Sequence, residues 1–133
     1  GRYHGGGYYE YAADGSKAIW PKLYELYHRP DVQIPAQDLK DRILFRQVIE
    51  SLKCLQEGVL RSVAEGNVGS LLGIGAPSWT GGFIQFVNTY EYKNLTGPAA
   101  FVARANELVA QYGERFAPPA IVVEKAQSGD SFQ

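Results

Sequence analysis

PAQDLKDRILFRQVIESLKCLQEG, residues 35–58, is the stretch whose reading decides the fold. Its apolar residues fall at Leu39, Ile43, Leu44, Val48, Ile49, Leu52 and Leu55, and Val59 follows. Steps of three, four and one trace one face of a 3.6-residue helix. The spacing predicts a helix from Pro35 to Glu57, about 33 Å long at 1.5 Å per residue. Gly58 stands where a left-handed residue closes such a helix. Downstream, Ser62-Val63-Ala64-Glu65 has capping-box spacing and predicts a helix from Val63 to about Leu72. Gly73-Ile74-Gly75-Ala76-Pro77 breaks it into a turn, and Gly81-Gly82 leads into a short apolar run with Phe83, Ile84, Phe86, Val87 and Tyr90. Thr96-Gly97-Pro98 opens a further helix carrying Phe101, Val102, Ala105, Leu108, Val109 and Tyr112 on one face, closed by Gly113. Pro118-Pro119 stops it; Ile121 to Val123 reads as a strand-like tail and the chain from Gln127 onward as solvated. Upstream, Pro21 can be the first residue of a short helix through Leu23, Leu26 and Tyr27. Gly1 to Ser16, rich in glycine and tyrosine, reads as an extended arm. No stretch alternates long enough to make a sheet, so the fold class expected is all-α.

Composition bounds the rest. The 133 residues suit one domain of ordinary size. The expected division is an arm with a short helix over 1–34, a helical domain over 35–119 and a tail over 120–133. A net charge of −1 argues against a dedicated nucleic-acid binder. No apolar run approaches the ~20 residues of a membrane span. The single cysteine, Cys54, excludes an internal disulfide and a multi-cysteine zinc site. The sequence begins at Gly1 and holds no methionine, so it reads as a piece of a longer, soluble, intracellular protein.

Self-contained chemistry is hard to assemble from these residues. Gly73 and Gly75 give G-x-G, but Ser78 stands at the third glycine position and the segment follows a helix, so the dinucleotide fingerprint fails. Gly5-Gly6-Gly7 lacks the Lys-Ser/Thr of a phosphate loop. His4 and His28 have no second ligand at metal-binding spacing. Cys54 lies mid-helix, where a buried, inert thiol is expected. Glu50, between Ile49 and Leu52, is either a buried hydrogen-bonded carboxylate or a helix-edge anchor for a backbone amide. No Ser/His/Asp or Cys/His set forms. Catalytic, cofactor-binding and metal residues are therefore all expected to be absent.

Two features carry a family likeness: the arm GRYHGGGYYEY (residues 1–11), and the pair DRILFRQVIESLKCLQEGVLRS (41–62) and NVGSLLGIGAPSWTGGFIQFVNTY (67–90). Together they resemble the C-terminal region of 3-hydroxyacyl-CoA dehydrogenases over roughly Gly1 to Pro119. The likeness is greatest to the long α-subunits of fatty-acid oxidation complexes, which carry two copies of this helical domain. The resemblance implies a fold like the C-terminal domain of 6-phosphogluconate dehydrogenase. It also implies a parent enzyme that uses NAD to oxidise L-3-hydroxyacyl-CoA in β-oxidation, often fused to an enoyl-CoA hydratase. No cofactor is expected on this stretch itself. The family's catalytic His–Glu pair belongs to a Rossmann half outside this sequence. Where the catalytic copy has an assisting asparagine before the arginine of the long helix, this chain has Asp41 before Arg42. Ala76 replaces a usual phenylalanine and Asn67 a common acidic residue. The resemblance thus implies the second, non-catalytic copy. Alternatives from other classes are an independent acyl-CoA-handling enzyme using Glu50 and His28, or a protein-interaction module.

The residues expected to be structural are Glu50, Gly58, Gly73, Gly75, Pro77, Trp79, Gly81 and Gly82. Trp79, among small residues, is expected to be buried. Phe45 beside Leu44 and Cys54 beside Leu55 widen the apolar face of the long helix. Phe45, Val48 and Leu52 are accordingly expected at a two-fold homodimer interface formed with the Gly73–Tyr90 region. The partners implied by the resemblance are the first copy, the Rossmann domain and a thiolase subunit. No nucleic acid and no membrane span are expected. The compartment implied is the cytoplasm for a bacterial protein, or mitochondria or peroxisomes for a eukaryotic one.

Overall fold

The computed structural model describes residues 2–4 and 6–133, with Gly1 and Gly5 of the glycine-rich arm outside the described residues. The chain divides into two units, Gly1–Ile34 and Pro35–Gln133. In the first, strands β1 (Tyr9–Tyr11) and β2 (Lys17–Ile19) pair antiparallel with Tyr9 opposite Ile19, followed by helix α1 (Lys22–Tyr27). The extended arm of the sequence reading is thus a hairpin over much of its length. Its turn explains why: Gly15 takes φ +85° and Asp14 Oδ1 accepts from the Ser16 amide at 2.9 Å. Asp-Gly is a strong hairpin signal, and the Lys17 ammonium sits 5.0 Å from the Tyr9 ring centre across the pair. Pro21 is the residue before α1, not its first.

The second unit is mostly helical: α2 (Ala36–Gln56), α3 (Val63–Gly73), α4 (Phe83–Thr89), α5 (Gly97–Tyr112) and α6 (Ala120–Ser128). A two-stranded ribbon of β3 (Glu91–Tyr92) and β4 (Leu95–Thr96) joins α4 to α5. The long helix and the α3 and α5 boundaries match the sequence reading closely. The Ser62 hydroxyl accepts from the Glu65 amide at 3.1 Å, and Glu65 reaches back to the Arg61 amide at 2.7 Å. This is the capping box, shifted by one residue on its return leg. One expectation fails at the C-terminus and another holds with one exception. Ile121 to Val123 are helical within α6, with Val122 in the core, and from Gln127 onward the chain is exposed, as expected, except for Phe132, which is a core residue. Gly113, not the proline pair, caps the end of α5, and Pro119 stands at the N-cap of α6.

The core is centred on Phe45, which stacks on Phe101 with ring centres 4.3 Å apart and planes 7° from parallel, with Phe86 and Tyr90 edge-on around it. The phase of α2 therefore differs from the sequence reading. Its inward face is Asp38, Asp41, Phe45, Val48, Ile49 and Leu52, whereas Leu39 and Ile43 are exposed. Phe45, Val48 and Leu52 have no solvent exposure at all. They belong to the domain's own core and cannot form a dimer interface. The two aspartates concealed this phase, because a search for apolar residues alone passes over them.

Helix α4 is held by α3. Asn67 Oδ1 accepts from the amides of Ile84 (3.0 Å) and Gln85 (2.9 Å), and Ser70 Oγ accepts from Phe83 (3.1 Å). These are the donors a helix start leaves unsatisfied. The approach is close enough that a Cβ on Gly82, at φ +107°, would lie 2.5 Å from the Asn67 Cα. Only glycine fits there.

Candidate functional site

Two features of the second unit could bear function: a buried charge network between α2 and α5, and an uncovered groove along α2. In the network, Arg104 of α5 is 5% exposed. Its Nε donates to Asp41 Oδ2 at 2.7 Å, Nη2 to Asp38 Oδ1 at 2.6 Å and Nη1 to Glu107 Oε2 at 3.1 Å. Asp38 also accepts from the Tyr112 hydroxyl at 2.5 Å, and Asp41 from Gln37 Nε2 at 2.9 Å. Glu107 accepts in addition from the Tyr92 hydroxyl and from Lys93 Nζ at 2.6 Å. Arg42 lies over the Tyr112 ring, 4.4 Å from its centre.

Electrostatics follow from these contacts. The Tyr112 hydroxyl and the Arg104 guanidinium hold the Asp38 carboxyl below the ordinary carboxylate range. Lys93, with Tyr92 and Arg104, pulls Glu107 down to about 2. Burial works against the Arg104 charge, yet hydrogen bonds to Asp38 and Asp41 outweigh it and the guanidinium is held protonated. Burial, then the nearby Asp41 charge, pushes the Tyr90 phenol up. Among the described residues no buried side-chain polar atom lacks a partner. Such a network fixes α2 against α5. It leaves Asp38 and Asp41 engaged and offers no poised general acid or base.

The groove is a concavity of about 620 Å³ floored by Leu44, Phe86 and Tyr90, with Lys40, Ile43 and Trp79 at its margins. Trp79 is 71% exposed and meets Phe86 edge-on at 5.9 Å, so the expected burial of this ring is corrected. Its backbone sits in a tight 3-10 turn, Ser78–Thr80. Gln47 is shared with a second concavity of about 510 Å³, lined by Glu50, Cys54, Leu60, Gly66 and Ile74. Ile43, Val59, Leu72, Ile74 and Trp79 all stand exposed.

Of the remaining expected residues, Glu50 is a surface carboxylate bridged to Arg46 (2.7 Å) and Lys53 (3.2 Å), neither buried nor bonded to a backbone amide. Hydrogen bonding from Lys53, with the Arg46 and Lys53 charges, lowers its pKa. Gly58, Gly75 and Gly81 take positive φ at their turns, Pro77 precedes the 3-10 turn, and Gly73 is an ordinary helix terminus. Cys54 is half-buried in the second concavity, not sealed in the core. His4 lies edge-on to Tyr3 and His28 to Tyr24, both in the first unit. Among the described residues no group of three or more His, Cys, Asp or Glu side chains could hold a metal ion. No helix among them is long and apolar enough to cross a membrane. The sequence reading missed Asp38 and Arg104, and it took Tyr112 only as part of the apolar face of α5. A signal existed: Asp38, Asp41, Phe45, Val48 and Leu52 follow helical spacing, and Arg104 shares a face with Phe101, Ala105 and Leu108. No family model matches the chain.

Proposed function

We propose that residues 35–133 form the second, non-catalytic C-terminal helical domain of an NAD-dependent L-3-hydroxyacyl-CoA dehydrogenase of fatty-acid β-oxidation. Its role there is structural: it pairs with a like domain and supports a catalytic half elsewhere in the parent chain. The ordered combination of the arm, the long-helix motif and the Gly-Ala-Pro-Ser-Trp turn motivates the family. The observation that carries the non-catalytic reading is the state of Asp41. By the resemblance it stands at the place of the assisting asparagine, and it is buried and bound by Arg104 and Gln37. A side chain so engaged is withheld from a substrate. The competing enzyme reading relies on Glu50 and His28; Glu50 is engaged by Arg46 and Lys53 on an exposed helix face, and the His28 ring lies edge-on to Tyr24 in the first unit.

The test is turnover. The purified chain with acetoacetyl-CoA and NADH should consume no NADH, and sustained consumption would overturn the scaffold reading. Pairing has its own test. Exposed Ile43 and Trp79 beside a largely apolar groove are the kind of surface a soluble protein covers. The cover we propose is a second copy of this domain or, in the parent chain, the first copy. Sedimentation equilibrium at tens of micromolar should find a dimer, and Ile43→Arg should return the 14.7 kDa monomer with its fold intact. A wild-type chain that sediments only as monomer would exclude self-pairing. The Rossmann domain and a thiolase subunit are further partners under this reading.

A further inference from the structure

We propose that a small concavity between α2 and the 3-10 turn Glu114–Phe116 binds a phosphate monoester, with Arg42, Arg46 and Arg115 holding the phosphoryl dianion and Leu39 and Ile43 supporting its apolar body. The concavity has a volume of about 290 Å³, and no carboxylate lines it. Leu39, Arg42, Ile43 and Arg46 fall three and four residues apart, on a stripe of α2 outside its buried face. Arg115 joins them from the turn, 69 residues beyond Arg46 in sequence. Each guanidinium is positioned by a neighbour. Arg42 lies over the Tyr112 ring, 4.4 Å from its centre, and that ring is fixed in turn by its hydrogen bond to Asp38. Arg46 Nη1 donates to the Arg115 carbonyl at 2.9 Å, which ties α2 to the turn, and pairs with Glu50 at 2.7 Å. Arg115 lies 5.8 Å from the centre of the Phe116 ring.

The charge balance selects the ligand. Like charges one helical turn apart repel, and among the described residues neither Arg42 nor Arg115 forms an ion pair with a carboxylate. With Glu50 offsetting Arg46, the site keeps an excess of two positive charges on a chain whose net charge is −1. A phosphate monoester carries about −1.5 to −2 at pH 7 and offers three acceptor oxygens. It matches that excess, whereas a single carboxylate leaves half of it unmet. Guanidinium groups meet such oxygens with paired N–H donors, and side chains already held in place lose little freedom on binding. A phosphoryl group fills only part of the concavity. The remainder lies against Leu39 and Ile43, which are 46% and 68% exposed, and suits a small ring or a short aliphatic body. The three arginines play no part in the dehydrogenase reading. Ile43 is shared with the pairing surface, but pairing is read by sedimentation and this site by ligand binding, so either can fail alone.

Titration of the full chain with phenyl phosphate, inorganic phosphate and benzoate tests the site, with the Nε–H signals of Arg42, Arg46 and Arg115 followed by NMR. Phenyl phosphate should shift all three signals saturably. Its Kd should be at least about tenfold lower than that of benzoate, which lacks the second charge, and lower than that of inorganic phosphate, which lacks the ring. Arg115→Gln removes an exposed side chain, and Arg42→Gln one that only stacks on a ring. Each should weaken phenyl phosphate at least about tenfold, as loss of a hydrogen bond between charged groups requires, with circular dichroism unchanged. Absence of saturation by phenyl phosphate up to about 10 mM, where binding would be too weak to reflect a built site, would overturn the proposal. So would binding of phenyl phosphate no tighter than that of benzoate or inorganic phosphate, a comparison made on the wild-type chain alone. Undiminished binding by folded Arg115→Gln would overturn it as well.

Discussion

Arg104→Met should be the most informative substitution in the second unit. It preserves most of the side-chain volume and removes the cation that three carboxylates share. Asp38 and Asp41, with side chains 11% and 5% exposed, would be left as neighbouring buried anions. Removing one partner of a buried ion pair costs about 3–5 kcal/mol. Glu107, at 34% exposure, keeps Lys93 and Tyr92 and so suffers little. The lower end of the range applies, about 3 kcal/mol at pH 7. The pH dependence provides an internal control. The Asp38 carboxyl titrates below its ordinary value in the folded state, so its contribution is present above the unfolded-state value near 3.9 and is lost as pH falls through the folded value. Urea titrations of wild type and variant should therefore differ most at neutral pH and converge below about pH 4. Adding Asp38→Leu and Asp41→Leu to Arg104→Met should recover much of the loss, because a well-packed apolar set avoids the desolvation penalty. A neutral-pH cost below about 1 kcal/mol, or a difference independent of pH, would refute the reasoning.

Phe45→Ala should cost about 3–5 kcal/mol in a denaturant titration, the range for deleting a large buried aromatic, while Trp79→Ala should stay within about 1 kcal/mol because its ring is exposed. Asn67→Leu should cost about 1–3 kcal/mol by leaving the Ile84 and Gln85 amides without an acceptor; Asn67→Asp keeps the acceptor, places negative charge at the start of α4 and should equal wild type in thermal melts. Gly66→Val should destabilise measurably by circular dichroism, since a Cβ there already comes within 2.5 Å of Ile84 Cδ1.

Helix boundaries were legible wherever local chemistry sets them. Ser62 and Glu65, Thr96 with Gly97-Pro98, and Gly58 mark ends through caps and turns that involve near neighbours only. The rotation of α2 was not legible from apolar spacing. Phe45 faces inward because Phe101 waits to stack on it, and Asp38 and Asp41 face inward because Arg104 neutralises them; both reasons lie about sixty residues away in sequence. The short hairpin was readable from Asp14-Gly15, and α6 was not, since Ile121-Val122-Val123 suits a strand as well as a helix until a helical neighbour is present. Trp79 shows the opposite limit: small flanking residues describe the backbone of the turn and not which way the indole points. The Asp41 replacement was visible in sequence, but its destination required the structure.

The dependence of α4 on Asn67 and Ser70 has a bearing on the order of folding. Seven residues fall well short of the roughly 12–15 at which a helix sustains itself in water. With its first amides satisfied from α3, α4 has no independent existence before that helix docks. The pair should therefore appear late and together, as one cooperative unit, with the amides of Ile84 and Gln85 opening at the same free energy as those along α3.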